Sequence, residues 1–269
     1  MKNGTPFNDL TLEELNASNT PHMLADCLNC TMPLANNYCS NCGQKSTTHR
    51  YSFQHFLAHD LVHGVWHVDK GILYTIIALL TRPGHSVREF IQGKRVNYFS
   101  FITLILLILT VTSLIAPYTH GKMSDLLPQK SKEMMNEIER FVATYPKLTL
   151  IITIPIYSIF SLAWFRRAKL NFSEHLVINS NRIIAELILG LLIAVISIFY
   201  THKTGLTFLY IVIPTLFNIF YTIWFYYQFF SWYSYSKKAL ILRSIMVPLS
   251  YLFISFLVGM VFGIIKIIH

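Results

Sequence analysis

The sequence predicts an all-α integral membrane protein of about five transmembrane helices, preceded by a small cytosolic four-cysteine zinc ribbon and interfacial amphipathic helices. Three observations predict it. Hydrophobic residues make up 53% of the 269-residue chain and charged residues only 13%, about half the charged share of an average soluble domain. Apolar blocks long enough to cross a bilayer begin only after residue 98. All four cysteines fall in the single stretch "CLNCTMPLANNYCSNC", residues 27–42. The chain therefore divides into an N-terminal tail (1–24), a ribbon (25–46), cytosolic or interfacial amphipathic helices (50–97) and a helical membrane domain (98–269).

The tail opens "MKNGTPFNDLTLEELN". It has no apolar h-region, so no cleaved signal peptide is expected. Thr11-Leu12-Glu13-Glu14 fits a capping box for one short helix.

The cysteines read Cys27-x2-Cys30, eight residues, Cys39-x2-Cys42. Two adjacent CxxC knuckles are the ligand pattern of a structural zinc site, because each knuckle can aim two sulfurs at one ion. Gly43 follows the second pair, where a left-handed turn residue is useful. Four thiolates close the tetrahedron to water, so the metal is expected to fold a short segment rather than catalyse. The alternative, two disulfides, needs an oxidising compartment. Few basic residues lie between the knuckles, which argues against nucleic acid as a partner.

In "QHFLAHDLVHGVWHVDKG" (54–71) the histidines His55, His59, His63 and His67 recur every fourth residue. On a helix they sweep one face, with Phe53, Leu57, Leu61 and Val65 opposite. Such a face can be semi-polar surface resting on head groups or on neighbouring helices. It can be a pH-responsive surface, since imidazole charges near pH 6.5. It can also be a second metal site, since i, i+4 imidazoles can chelate one ion. No second histidine cluster supports an oxygenase-like arrangement.

Residues 68–81 hold an apolar run of about ten residues, too short to cross, so a helix lying in the interface is expected. Arg82-Pro83-Gly84 should end it, and Ser86-Val87-Arg88-Glu89 reads as a capping box opening the next helix. Arg82, Arg88, Lys94 and Arg95 would then sit among lipid phosphates.

Five spans are predicted at about 99–117, 148–165, 182–200, 206–226 and 245–265, each near the roughly 20 residues that cross a bilayer. Pro155, Pro214 and Pro248 should kink three of them. Lys and Arg gather before the first span, after the second (Arg166, Arg167, Lys169) and before the fifth (Lys237, Lys238, Arg243). Basic residues mark the cytoplasmic side, which puts the N-terminus in the cytoplasm, the C-terminus outside and the cysteines in a reducing compartment. Between the first two spans, Met134, Ile138, Phe141 and Tyr145 share one helical face, so a short amphipathic helix is expected there. Deep polar positions are few: Thr103, Thr110, Ser158, Ser161, Asn218, Thr222, Ser250 and Ser255. Arg182 and Glu186 are expected to pair at the head-group level, at the start of the third span.

The segments "CLNCTMPLANNYCSNCGQK" and "HVDKGILYTIIALLTRPGHSVREFIQGKRVNYFSF" resemble the bacterial membrane proteins grouped as domain of unknown function 3667. That family has a zinc-ribbon start, a "DKG…T…L…RPG…REYI.GKR" segment and following spans. The likeness covers about residues 25–105, with Phe90 where the family commonly has tyrosine. It implies a bacterial inner-membrane location. It also implies that Asp69, Lys70, Gly71, Thr75, Arg82, Pro83, Gly84, Arg88, Gly93, Lys94 and Arg95 form one unit of structure. It supplies no catalytic residues.

No G-x-S-x-G or phosphate loop is present. The reading favoured is a non-catalytic binding or scaffolding protein with a structural Zn2+, partnered by membrane lipids and an unidentified protein. The alternatives are a metal-dependent membrane enzyme built on the His55–His67 face, and a small-solute transporter.

Overall fold

The computed structural model describes residues 26–48, 71–120, 141 and 144–268. The tail, the histidine ladder with Asp69 and Lys70, and most of the expected amphipathic helix around Met134 and Ile138 lie outside these residues. What is described is a helical membrane body with a short Cys-rich ribbon against it. Among the described residues the only β pairing is two isolated antiparallel bridges, Asp26–Pro33 and Tyr38–Lys45.

Two short helices precede the spans. Helix α1 (Gly71–Thr81) buries Thr75, Ala78 and Leu79 and turns Leu73, Ile77 and Leu80 outward. That outward face suits the lipid interface predicted for it. Helix α2 (Pro83–Ile91) begins four residues earlier than the Ser86 capping box predicts, with Pro83 in its first turn and no side-chain cap. Proline is pre-set for that position and has no N–H to satisfy. Ser86 is fully buried and donates its hydroxyl to the Pro83 carbonyl at 2.9 Å.

The membrane body follows as α3 (Phe101–Ile115), α4 (Pro146–Trp164) and α5 (Phe172–Phe199). Helix α6 (Lys203–Thr207) runs through a π-helical turn, Phe208–Val212, into α7 (Ile213–Phe230). The turn ends two residues before Pro214, whose missing N–H breaks the ordinary ladder. Helix α8 (Lys237–Ile268) contains Pro248. Among the described residues, four helices are long and apolar enough to cross a membrane: Phe101–Tyr118, Phe172–Phe199, Lys203–Phe230 and Lys237–Val258. The second predicted span corresponds to α4, whose apolar stretch, Leu148–Trp164, is shorter than these. The protein is an all-α, multi-pass membrane protein.

Helix α5 is central, packing against α3, α4 and α7, while α2 lies on α7. Hydropathy alone starts this span at residue 182; the structure starts it ten residues earlier. Asn171 accepts from the Glu174 N–H at 2.8 Å, and its own N–H donates to Glu174 Oε2 at 2.8 Å. This reciprocal pair is a capping box. Arg182 is consequently not at a helix entrance: it lies mid-helix and is 0% exposed. Aromatic rings fill the space where α4, α5 and α7 converge, with Phe165 and Phe230 stacked at 3.7 Å.

Candidate metal centre and its seat on the membrane body

The ribbon is built from two nearly repeated knuckles. In the first, the Cys27 N–H donates to the Met32 carbonyl at 2.9 Å and the Thr31 N–H to the Cys27 carbonyl at 2.8 Å. In the second, the Cys39 N–H donates to the Gln44 carbonyl at 2.8 Å and the Gly43 N–H to the Cys39 carbonyl at 2.9 Å. The residue after each second cysteine is left-handed: Gly43 at φ 75° and Thr31 at φ 60°. Glycine adopts this freely; threonine does so at a cost of about 1–2 kcal/mol.

The knuckles bring all four sulfurs within 4.8 Å of one another. Cys27 and Cys42 are 3.6 Å apart, and Cys30 and Cys39 are 3.5 Å apart. A tetrahedron with Zn–S bonds of about 2.3 Å has edges of about 3.8 Å. A disulfide would need about 2.05 Å, and all four cysteines are free thiols. The donor set therefore fits a four-coordinate metal and leaves no open position. The Met32 backbone N–H, followed by Asn41, lowers the Cys30 thiol to about 6. Burial raises Cys42 to about 11, partly offset by the Gln44 backbone.

Both knuckles rest on the turn after α2. Gly93 has φ +104°, and a Cβ there would lie 2.6 Å from Leu28 Cδ1. Gln44, 6% exposed, accepts from the Arg95 N–H at 3.2 Å. The ribbon also presents an open groove lined by Leu34 to Ser40 and Ser46.

The turn belongs to a connected unit. The Phe99 N–H donates to Thr75 Oγ1 at 2.8 Å. Arg82 donates to Tyr74 at 2.7 Å and pairs with Glu89 at 3.4 Å, and Tyr98 donates to Glu89 Oε2 at 3.0 Å. Gly84 meets α7 directly: its N–H donates to Gln228 Oε1 at 3.2 Å. Arg88 caps α7 by donating to the carbonyls of Gln228 and Phe229, each at 3.1 Å. Its second arm lies 2.6 Å from His85 Nδ1. Burial and this guanidinium lower the His85 pKa, so Nδ1 accepts. Of the cations predicted among lipid phosphates, Lys94 is exposed and Arg95 partly exposed. Arg82, Arg88 and Arg95 are engaged by protein groups, Arg95 by donating its Nε–H to the Phe90 carbonyl at 3.4 Å and lying over the Phe90 ring.

A second cluster lies inside the bundle; the sequence predicts its Arg182–Glu186 pair, but at head-group depth, and picks out Ser158, Ser161 and Thr222 without joining them to it. His175, Asn179, Arg182 and Glu186 follow a 4-3-4 spacing along one face of α5. His175 Nδ1 is 2.8 Å from Ser161 Oγ. Asn179 donates to Ser161 at 3.0 Å and accepts from Tyr226 at 2.5 Å. Arg182 pairs with Glu186, donates to Thr222 at 2.9 Å and lies 3.9 Å over the Tyr157 ring. Ser158, Ser161, His175, Asn179, Arg182, Thr222 and Tyr226 are each 0% exposed, so no gap the size of a water molecule adjoins them. The cluster is a closed polar core except at Glu186, whose side chain is 25% exposed. His55, His59, His63 and His67 lie outside the described residues.

No curated protein and no solved structure matches the chain. The model of one family, described as protein of unknown function (DUF3667), matches residues 69–112. That span holds α1, α2 and most of α3; the ribbon lies outside it. The unit that seats the ribbon and clamps α7 is therefore the part of this chain that matches the DUF3667 family.

Proposed function

We propose that this is a multi-pass protein of the bacterial inner membrane, N-terminus cytoplasmic and C-terminus outside, with a non-catalytic binding or scaffolding role. Its ribbon is folded by one zinc ion held by Cys27, Cys30, Cys39 and Cys42. The observation that carries this reading is the closed set of four sulfurs at tetrahedral spacing. A closed site has no coordination position for water or substrate, so the metal's contribution is to cross-link two knuckles too small to fold alone. The metal would hold the Leu34–Ser40 groove in shape, and the α2 turn fixes that groove at the membrane surface. A cytosolic protein is the proposed occupant of the groove, and membrane lipids surround the body.

Metal analysis of the purified full chain tests this. The expected result is one zinc per chain, lost together with a co-purifying partner on Cys27→Ser and Cys30→Ser. Absence of zinc, or a partner set unchanged by the double substitution, would overturn the proposal. A further metal equivalent removed by His59→Ala and His63→Ala would instead support an enzyme built on the histidine face.

A further inference from the structure

Glu186 and Asn218 stand at the middle of the two 28-residue apolar helices, Phe172–Phe199 and Lys203–Phe230. Position 186 is 14 residues past 172 and 13 short of 199; position 218 is 15 past 203 and 12 short of 230. At 1.5 Å per residue both lie about 20 Å from either helix end. For helices crossing a hydrocarbon layer about 30 Å thick, that is the bilayer midplane.

The two side chains meet at the bundle surface. Asn218 Nδ2 donates to Glu186 Oε1 at 2.7 Å, and Arg182 holds the same oxygen. Glu186 Oε2 has no hydrogen-bond partner among the described residues, and the side chain is 25% exposed. Asn218 is partly exposed, with one amide hydrogen and its carbonyl oxygen still available. One turn along α5, Gly190 is exposed, and a Cβ built there meets nothing within 4 Å. Beside the carboxylate, then, the surface is shallow enough for another backbone to come close.

Polar groups facing hydrocarbon at this depth are costly and are normally covered by protein. Lipid head groups remain about 15 Å away, so the cover must be a helix. We infer that it is a second copy of this chain. Under a two-fold axis the patch meets itself. The unused Asn218 amide hydrogen of each copy then faces the Glu186 Oε2 of the other, so donor and acceptor are matched without any other partner.

The test is single-molecule photobleaching of the full chain, carrying one fluorophore, in liposomes over a range of protein-to-lipid ratios. Two-step traces should dominate for the wild type. Asn218→Ala and Gly190→Leu should each weaken the dimer at least tenfold. Gly190→Leu points into open space and replaces glycine with a better helix former, so its helix content and Tm should match the wild type. One-step traces at every ratio, or dimers undiminished in both variants, would overturn the inference. So would stoichiometric recovery of a different membrane protein that is lost with Asn218→Ala, which would assign the face to that protein.

Discussion

Replacing Gly84 with alanine would drive a methyl group to 2.2 Å from the Phe229 backbone nitrogen and 2.5 Å from the Phe225 carbonyl oxygen. Neither is the end of a flexible side chain. Ordinary contact begins at 3.4 Å, so α2 and α7 must part by about 1.2 Å, the difference between 3.4 and 2.2 Å. Overpacking of this kind costs about 1–3 kcal/mol. The same displacement takes both Arg88 contacts, now 3.1 Å, beyond hydrogen-bonding range. Hydrogen bonds from a charged donor contribute about 1.5–3 kcal/mol each. Arg88 is partly exposed, so the lower figure for the two together is appropriate. The sum is about 2.5–4.5 kcal/mol. Unfolding of the full chain by SDS in mixed micelles measures it. Arg88→Ala alone should cost about 2 kcal/mol. The double variant should cost little more than Gly84→Ala, because both changes break one contact. A Gly84→Ala protein within about 0.5 kcal/mol of wild type, the range of ordinary surface changes, would refute the reasoning.

Arg182→Met should cost about 3–5 kcal/mol in the same assay, because it strips Glu186 and Thr222 of a shared partner. Arg182→Met with Glu186→Gln should recover at least half of that, and a single variant costing under about 1 kcal/mol would contradict the burial argument. Thr31→Gly should relieve a left-handed threonine by about 1 kcal/mol, read as roughly fivefold slower metal loss to a chelator; faster loss would be the opposite result. Metal affinity should fall as pH falls, since protons compete for the sulfurs. Below about 6 the Cys30 thiolate also gains a proton, so the slope of log affinity against pH should steepen by one there. An unchanged slope between pH 5 and 7 (read by competition titration, about one unit either side of that value) would count against the Met32 N–H as its cause.

The helical class and the grouping of the four cysteines were legible because each rests on local pattern. Apolar runs mark helices wherever they pack, and CxxC spacing alone brings two sulfurs together. The start of α5 was harder to see. "HLVINSNR" carries enough polar residues to look like a loop, yet Asn171 and Glu174 already form a capping signature, and His175, Asn179, Arg182 and Glu186 share a face. That polar stripe is buried only because α4 and α7 supply Ser161, Thr222 and Tyr226, partners far away in sequence. At Ser86 the competition went the other way. The capping pattern is present, but Pro83 starts the helix first, and the serine hydroxyl turns to its carbonyl. Arg88 shows a similar limit. Beside a membrane, an arginine reads as a phosphate ligand, and nothing local announces that the end of α7 will claim it.

The clamp between α2 and α7 joins groups 140 to 144 residues apart. Ribosomes add roughly 5–20 residues per second. The Gly84 surface and the Arg88 guanidinium therefore wait roughly 7–28 s for the segment that covers them. During that interval the nascent chain carries an unfilled notch at the bilayer's edge. A chain stalled before residue 228 keeps that notch open.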